Sequence, residues 1–425
     1  MLKHWSQEIR NIRDHLFVLN SVLHEVSERQ HQVDLQIYDV RKCFDKMWGH
    51  ETSNDMFETG VDNDQFVMIA NSNKKCEVSV KTPWGSLCDK FTVDEVEMQG
   101  SVLAPLRCSL QVDTLGKQFM SDSQMMEQVY KYKNCVTIPP ISMVDDILTV
   151  TECGVNSIKV NAAVQSKVDT KRLTLSEDKC AKMHFGKGIN MCPYLKTHCS
   201  EMLSSKKQKY LGDIYTVDFK IDENIEMRHN KGIGIVNNII SIIKHISFGY
   251  FSFEIALILR NSLLINGILY NIETLFNLNQ KHIKSLEDCD RYLWQQLFNC
   301  PRTASIEGFH IETNTMPIRF YIIGRKFMFL WNLLRKSSEE LVKRVFQLQA
   351  DFPTDKSWVS NVRKDLKNFN INYTFEELAR FSKSQFKQLV SRKLGLASDT
   401  YLDLDAQITL VRIWLQIEET RKELL

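Results

Sequence analysis

The chain has few of the residues that break or staple a fold. Its 425 residues include only 16 glycines and 8 prolines, which excludes a collagen-like or low-complexity polymer and leaves no segment with the composition of a disordered tail. No Cys-x-x-Cys pair occurs, and the 11 cysteines are odd in number and scattered. That excludes a disulfide scaffold and points to reduced thiols in an intracellular protein. Cys192, His198 and Cys199 come nearest to a metal cluster but match no usual zinc spacing, and they read as ordinary side chains. Long apolar runs are missing too. The N-terminus, MLKHWSQEIRNIRD, has no apolar signal core, and the most apolar stretch, about 232 to 272, is interrupted by Lys244, Glu254 and Arg260. Neither a secretory signal nor a membrane span is expected. Net charge is nearly absent, +2 from 54 Lys/Arg and 52 Asp/Glu, so any contact with a polyanion must use a local patch.

Charge is nevertheless uneven along the chain. Residues 1–150 carry 15 Lys/Arg against 22 Asp/Glu, residues 171–250 carry 13 against 8, and residues 251–425 carry 24 against 20. An acidic first third followed by mildly basic segments would suit a cation site beside a polyanion track. Texture changes as well. Up to about residue 220, short β-type runs such as VDLQIYDV (33–40), ISMV (141–144), ILTV (147–150) and KMHF (182–185) alternate with helical stretches. Beyond Ile225, apolar residues recur at helical steps, as in Ile235, Ile239, Ile242, Ile243 and Ile246, or Phe327, Leu330 and Leu334. Thr374 and Glu377 form a capping box, and Pro353 separates two helices. The first half reads as mixed α and β, the second as mainly helical.

Carboxylates carry the chemical signal. In ISMVDDILTV (141–150), Asp145 and Asp146 lie between two β-type runs, at what reads as a hairpin tip; Asp also suits such turns on structural grounds alone. In LQIYDV (35–40), Asp39 would end a strand. If that strand pairs beside the hairpin, three carboxylates converge and repel unless cations join them. Mg²⁺, a hard ion that takes carboxylates, waters and phosphates, is the expected occupant, and a pair of such ions performs in-line phosphoryl transfer. That chemistry needs positioned charge rather than a covalent nucleophile, and no convincing Ser/His/Asp or Cys/His set is present. Between these elements, Gln99-Gly100 and Ala104-Pro105 read as a loop entering a helix, with Gly permitting close approach of a ligand and Pro suiting the first turn.

The ordered set Asp39-x-x-Lys42-x-Phe44-Asp45, Gln99-Gly100-x-x-x-Ala104-Pro105 and Met143-x-Asp145-Asp146 resembles a reverse transcriptase. The type it most resembles is that of non-LTR, LINE-like retrotransposons. Arg10 to Phe17 resembles a fingers motif, Leu173 to Cys180 the family's L-x-x-N-x-x-K-[TC], and Tyr210-Leu211-Gly212 the primer grip; the resemblance covers roughly residues 9 to 220. It implies an α+β right-hand polymerase palm, an antiparallel sheet with packed helices. Partial fingers (1–32) would precede the palm (33–220), and a helical thumb (221–300) and helical C-terminal region (301–425) would follow.

The resemblance also implies roles. Asp39 and Asp145 would ligate two Mg²⁺ ions, with Asp146 alongside and the Val40 carbonyl as a backbone ligand, Mn²⁺ being an alternative metal. Phe44 would be the steric gate against a ribose 2′-OH, and Gln99 and Gly100 would border the incoming nucleotide and template. Lys179 would neutralise or protonate leaving pyrophosphate, while Arg10 and Arg13 would touch triphosphate or template. Lys206, Lys207 and Lys209 would meet backbone phosphate beside the Tyr210-Leu211-Gly212 hairpin. RNA template, DNA primer and dNTPs are the implied partners, with no membrane.

Some features depart from the family pattern. Only 38 residues precede Asp39, so the chain reads as a fragment with truncated fingers; Glu97 brings negative charge before Gln99, Met143-Val144 replaces an aromatic, and Ser176 stands where Asn is common. No endonuclease motif or C-terminal Cys/His knuckle is recognisable. A catalytically inactive, nucleic-acid-binding remnant is therefore the alternative, and Phe44 with Gln99-Gly100 argues against an RNA-dependent RNA polymerase. The sequence leaves nucleus and cytoplasm unresolved.

Overall fold

Helix α1 (Ile12–Arg29) begins where Asn11 accepts a hydrogen bond from the Arg13 N–H, and it ends at Gln30, whose left-handed backbone returns its N–H to Val26. A computed structural model describes residues 11–41, 49–58, 60, 63–71, 76–93, 104–143, 145–152, 154–176, 178–186, 194–196, 201–246, 253–301 and 303–402. The chain divides into two units, the first formed by Met1–His15 and Val22–Phe219 and the second by Leu16–Ser21 and Lys220–Leu425.

The first unit is built on a four-stranded antiparallel sheet. Its strands are β1 (Val33–Asp39), β2 (Ile141–Met143), β3 (Asp146–Glu152) and β4 (Ala181–Phe185), in the spatial order β2-β3-β1-β4. This is the α+β architecture with an antiparallel sheet expected of a polymerase palm. Helices α2 (Ala104–Ser121) and α3 (Val155–Thr170) pack on it. Tyr38 and Ile147, cross-strand partners in β1 and β3, bury their side chains among Leu115, Phe119, Val160, Val164 and Val168. Each such side chain contributes about 1.5–3 kcal/mol relative to exposure. The alternation in VDLQIYD is invisible in burial, because all of its residues but Asp39 are buried. The sheet is covered on both faces.

Gly186 closes β4 with φ of +102°, and a Cβ there would run into the His31 carbonyl oxygen on the chain entering β1. The close approach of these two segments fixes where β4 meets β1.

The second unit is helical. Asp222–Ile246 buries Val236, Ile239 and Ile243 against Leu286, Leu293 and Trp294 of the helix Gln280–Phe298. Ile235 and Ile242 are only half-buried, so the contact face is centred one position away from the isoleucine stripe of the sequence. Gly232 accounts for the shift: with no side chain it admits Cys289, whose Sγ would lie 2.6 Å from a Cβ. A second cluster joins Phe17, from the middle of α1, to Phe329 and Trp358 at ring distances of 5.5 and 5.2 Å, and the Trp358 indole donates to the Glu273 carbonyl at 2.8 Å. Pro353 falls between the helices Leu341–Asp351 and Trp358–Asn368, and the Thr374–Glu377 capping box is formed.

Among the described residues, Phe253–Thr274 alone is long and apolar enough to cross a membrane, with 22 residues and a mean hydropathy of 1.4. Its Arg260 is fully buried and bidentate to Asp290 at 2.7 and 2.5 Å, and 44% of its most apolar window is buried in the protein.

Replacing Trp358 by Ala removes the largest ring of the aromatic cluster and is expected to destabilise the second unit by about 3–5 kcal/mol, read as a lower urea midpoint by circular dichroism. Gly186→Ala forces both a left-handed alanine and a backbone collision, so a loss above about 1 kcal/mol is expected in the same measurement.

Candidate active site

β1 ends at Asp39, and its register against β3 makes Asp39 the direct cross-strand partner of Asp146. Met143 also pairs with Asp146, which places Asp145 in the turn between β2 and β3. The chain leaving β1 is tied to that turn, because the Val40 N–H donates to the Asp145 carbonyl at 3.0 Å. On its other side it is tied to residues 174–176. Arg41 N–H donates to the Thr174 carbonyl and Ser176 N–H to the Asp39 carbonyl, both at 2.8 Å, with Val40 bridging Leu175. The turn that follows brings in Lys179, whose Nζ lies 3.3 Å from both carboxylate oxygens of Asp39. Three segments remote in sequence, those that carry Asp39, Asp145 and Lys179, thus meet at one end of the sheet.

The electrostatics follow from this crowding. Burial pushes the Asp146 carboxyl up to about 6, and the charges of Asp145 and Asp39 push in the same direction. Asp145 is raised as well, chiefly by burial and further by Asp39, against its own backbone hydrogen bond. Lys179 is raised by its hydrogen bond to Asp39 and so stays an ammonium. Its side chain is 62% exposed, so the pair is screened and contributes little to stability. Its value is positional.

Among the described residues, no three His, Cys, Asp or Glu side chains stand as a ready-made ligand cluster. What fits a hard divalent cation is the chemistry of the donors. Two half-buried carboxylates, with their proton affinity raised by burial and mutual charge, adjoin a third that currently holds a lysine.

One group of residues escaped the sequence reading. On the sheet face opposite to Asp39, buried Asp34 pairs with buried Lys182 at 2.9 Å and with half-buried His184 at 3.0 Å. Burial disfavours the Asp34 charge, yet His184 and Lys182 hold its carboxyl below the usual range. Gln36 donates to the carbonyl and hydroxyl of Ser157, both at 2.9 Å, and accepts from Thr149 at 2.7 Å and from Tyr38 at 3.1 Å. This network pins α3 to the strand that carries Asp39. The available signal was a polar residue at alternate positions of an otherwise apolar strand, matched by Lys182 and His184 in KMHF.

The remaining expected residues lie as follows. Lys207 and Lys209 are exposed on a hairpin strand, Lys207–Tyr210, with exposed Lys206 just before it; the strand turns through Leu211 (φ +46°) and Gly212 (φ +91°) into Asp213–Thr216. Tyr210 is buried rather than presented at the surface, and its phenol is pushed up by burial and by Asp146. Arg13 sits in the first turn of α1. Arg10, Phe44, Gln99, Gly100 and the Cys192, His198 and Cys199 group lie outside the described residues.

Comparison with curated protein sequences gives no match. Among solved structures the chain is similar to apo telomerase from Candida tropicalis, at 13% identity and a TM-score of 0.41 over 92% of this chain and 58% of that one. It is also similar to telomerase from Candida albicans in complex with a TWJ fragment of telomeric RNA, at 13% identity and a TM-score of 0.39 over 82% and 56%. The chain therefore spans little more than half the length of these relatives. A family model described as Reverse transcriptase (RNA-dependent DNA polymerase) matches residues 1–215, half of the chain and every strand that carries Asp39, Asp145, Asp146 and the Lys206–Gly212 hairpin. The chain belongs to the reverse transcriptase family.

Proposed function

We propose that the chain is an RNA-directed DNA polymerase of the non-LTR retrotransposon type, adding dNTPs to a primer 3′-OH on an RNA template. The observation that carries this reading is the pairing of Asp39 with Asp146 beside the Asp145 turn. In this reading residues 1–32 are partial fingers, 33–220 the palm, 221–300 the thumb and 301–425 a helical C-terminal region. The order and spacing of the Asp39, Gln99-Gly100 and Asp145-Asp146 motifs support the retrotransposon type.

Asp39 and Asp145 would hold two Mg²⁺ ions, with Asp146 and the Val40 carbonyl beside them. When bound, the ions supply Lewis-acid activation of the primer oxygen and charge neutralisation of the leaving pyrophosphate. The chain's own residues do the positioning. A cation held by Asp39 would compete with its Lys179 contact, and an ammonium so released would be within reach of the phosphate oxygens of a nucleotide. There it offsets developing negative charge and can supply a proton to pyrophosphate. Phe44 would crowd a ribose 2′-OH, Gln99 and Gly100 would border the nucleotide, and Arg10 and Arg13 would meet its triphosphate or the template. Lys206, Lys207 and Lys209 would follow the backbone phosphates, with buried Tyr210 supporting the hairpin from beneath.

The Lys179–Asp39 contact also favours a second reading, in which the palm is a remnant that holds nucleic acid and lets the lysine keep the carboxylate permanently.

Metal-dependent synthesis separates the two. Purified protein is expected to extend oligo(dT) on poly(rA) with dTTP and Mg²⁺, and Asp145→Asn to lower the rate at least about 10²-fold. Folded wild-type protein that binds the hybrid but incorporates nothing would establish the remnant. Lys179→Ala is expected to lower kcat about 10²-fold, with a smaller change in KM for dTTP, in steady-state extension assays.

A further inference from the structure

The second unit contains a cavity for which the polymerase reading has no use. It measures about 340 Å³ and lies beside the helix Trp358–Asn368 and the loop after it, beyond the residues that match the family. That is within the range of pockets that hold a small organic group, about 300–1,000 Å³. Buried Leu366 and Ile371 supply its apolar lining. Tyr373 lines it too, 44% exposed although its ring is braced against Phe381 at 5.3 Å. An aromatic ring left this open in a concave site, with only an edge contact to Phe381, keeps area for stacking a further ring.

Cations stand around that surface. The Arg363 guanidinium lies 5.0 Å over the Phe375 ring and donates to the Ala350 carbonyl at 3.3 Å, so its position is set before any ligand arrives. Lys367 is exposed in the last turn of the same helix. Residues 356–398 carry nine Lys/Arg against three Asp/Glu. Of those three acids, Asp365 is paired with Lys326 at 2.8 Å and Glu377 caps Thr374. The third, Glu376, lines the cavity beside Asn372, both of them exposed. A carboxylate and an amide together suit the hydrogen-bonding edge of a base that bears an amino group.

We propose that this cavity binds one unpaired nucleotide of a single-stranded nucleic acid, its base stacked on Tyr373 and its phosphate held by Arg363 and Lys367. An acidic peptide would satisfy the cations and leave the tyrosine ring unused. The inference rests on the polymerase reading only for the source of the strand.

The test is fluorescence anisotropy on the full chain, using labelled A-rich RNA and DNA strands of about 12 nucleotides and the blunt duplex of the same sequence. Tyr373→Ala is expected to weaken single-strand binding about ten-fold, Tyr373→Phe to keep it, and neither to alter duplex binding. The RNA and DNA arms tell which strand is the ligand. Single-strand binding by Tyr373→Ala within about two-fold of wild type, or no single-strand binding by wild type, would overturn the proposal. So would displacement of the strand by polyglutamate alike from wild type and Tyr373→Ala. Extension of oligo(dT) on poly(rA) is measured on the wild-type protein alongside, so a failure of the palm to copy a template is read separately from a failure of this cavity to bind a strand.

Discussion

The register of β1 against β3 is the constraint on which the candidate site depends. A slip of one residue would move Asp39 away from Asp146 and turn every side chain of β1 to the other face of the sheet. The arrangement works against itself electrostatically, since it places like charges side by side at a half-buried sheet end. The rest of the first unit supplies the compensation. Apolar packing of Tyr38 and Ile147 on α2 and α3 holds the two strands in register, while the backbone bonds from Val40, Arg41 and Ser176 fix the chain just beyond Asp39.

Polar groups beneath the site add specificity to this packing. Asp34, Lys182 and His184 cross-link β1 to β4, and Gln36 cross-links β1 to β3 and α3. Breaking such a buried set leaves unpaired charge in a medium of low dielectric, so alternative registers are penalised more than the native one is rewarded. The same strand therefore carries reactive carboxylate on one face and a register lock on the other.

Lys179 gives the site its present balance. With its ammonium on Asp39, the local negative charge is reduced where Asp145 and Asp146 already bind protons more readily than free carboxylates. A cation arriving at these carboxylates competes with a lysine whose side chain is largely exposed and costs little to move. In the second unit the charge pattern is reversed. Two cations, Arg363 and Lys367, line a cavity there with an open aromatic ring and Glu376, a combination suited to the backbone and bases of a strand rather than to its reactive end.

Much of this could be read from the order of residues alone. Asp39 at the end of a β-type run, Asp145-Asp146 between two such runs and the helical periodicity beyond residue 225 are local patterns, and local patterns survive in one dimension. The Thr374–Glu377 cap is of the same kind. What the sequence could not contain was which chain segments meet. Lys179 reaches Asp39 across 140 positions, Tyr210 is buried near Asp146 rather than presented to a ligand, and Gly232 turns the isoleucine helix so that Val236 faces the core. Each follows from packing between segments distant along the chain. The sequence by itself determined the elements and the chemical types gathered for the reaction; the tertiary structure decided which carboxylate holds the lysine and which tyrosine is left open, because burial and proximity are set by long-range contacts.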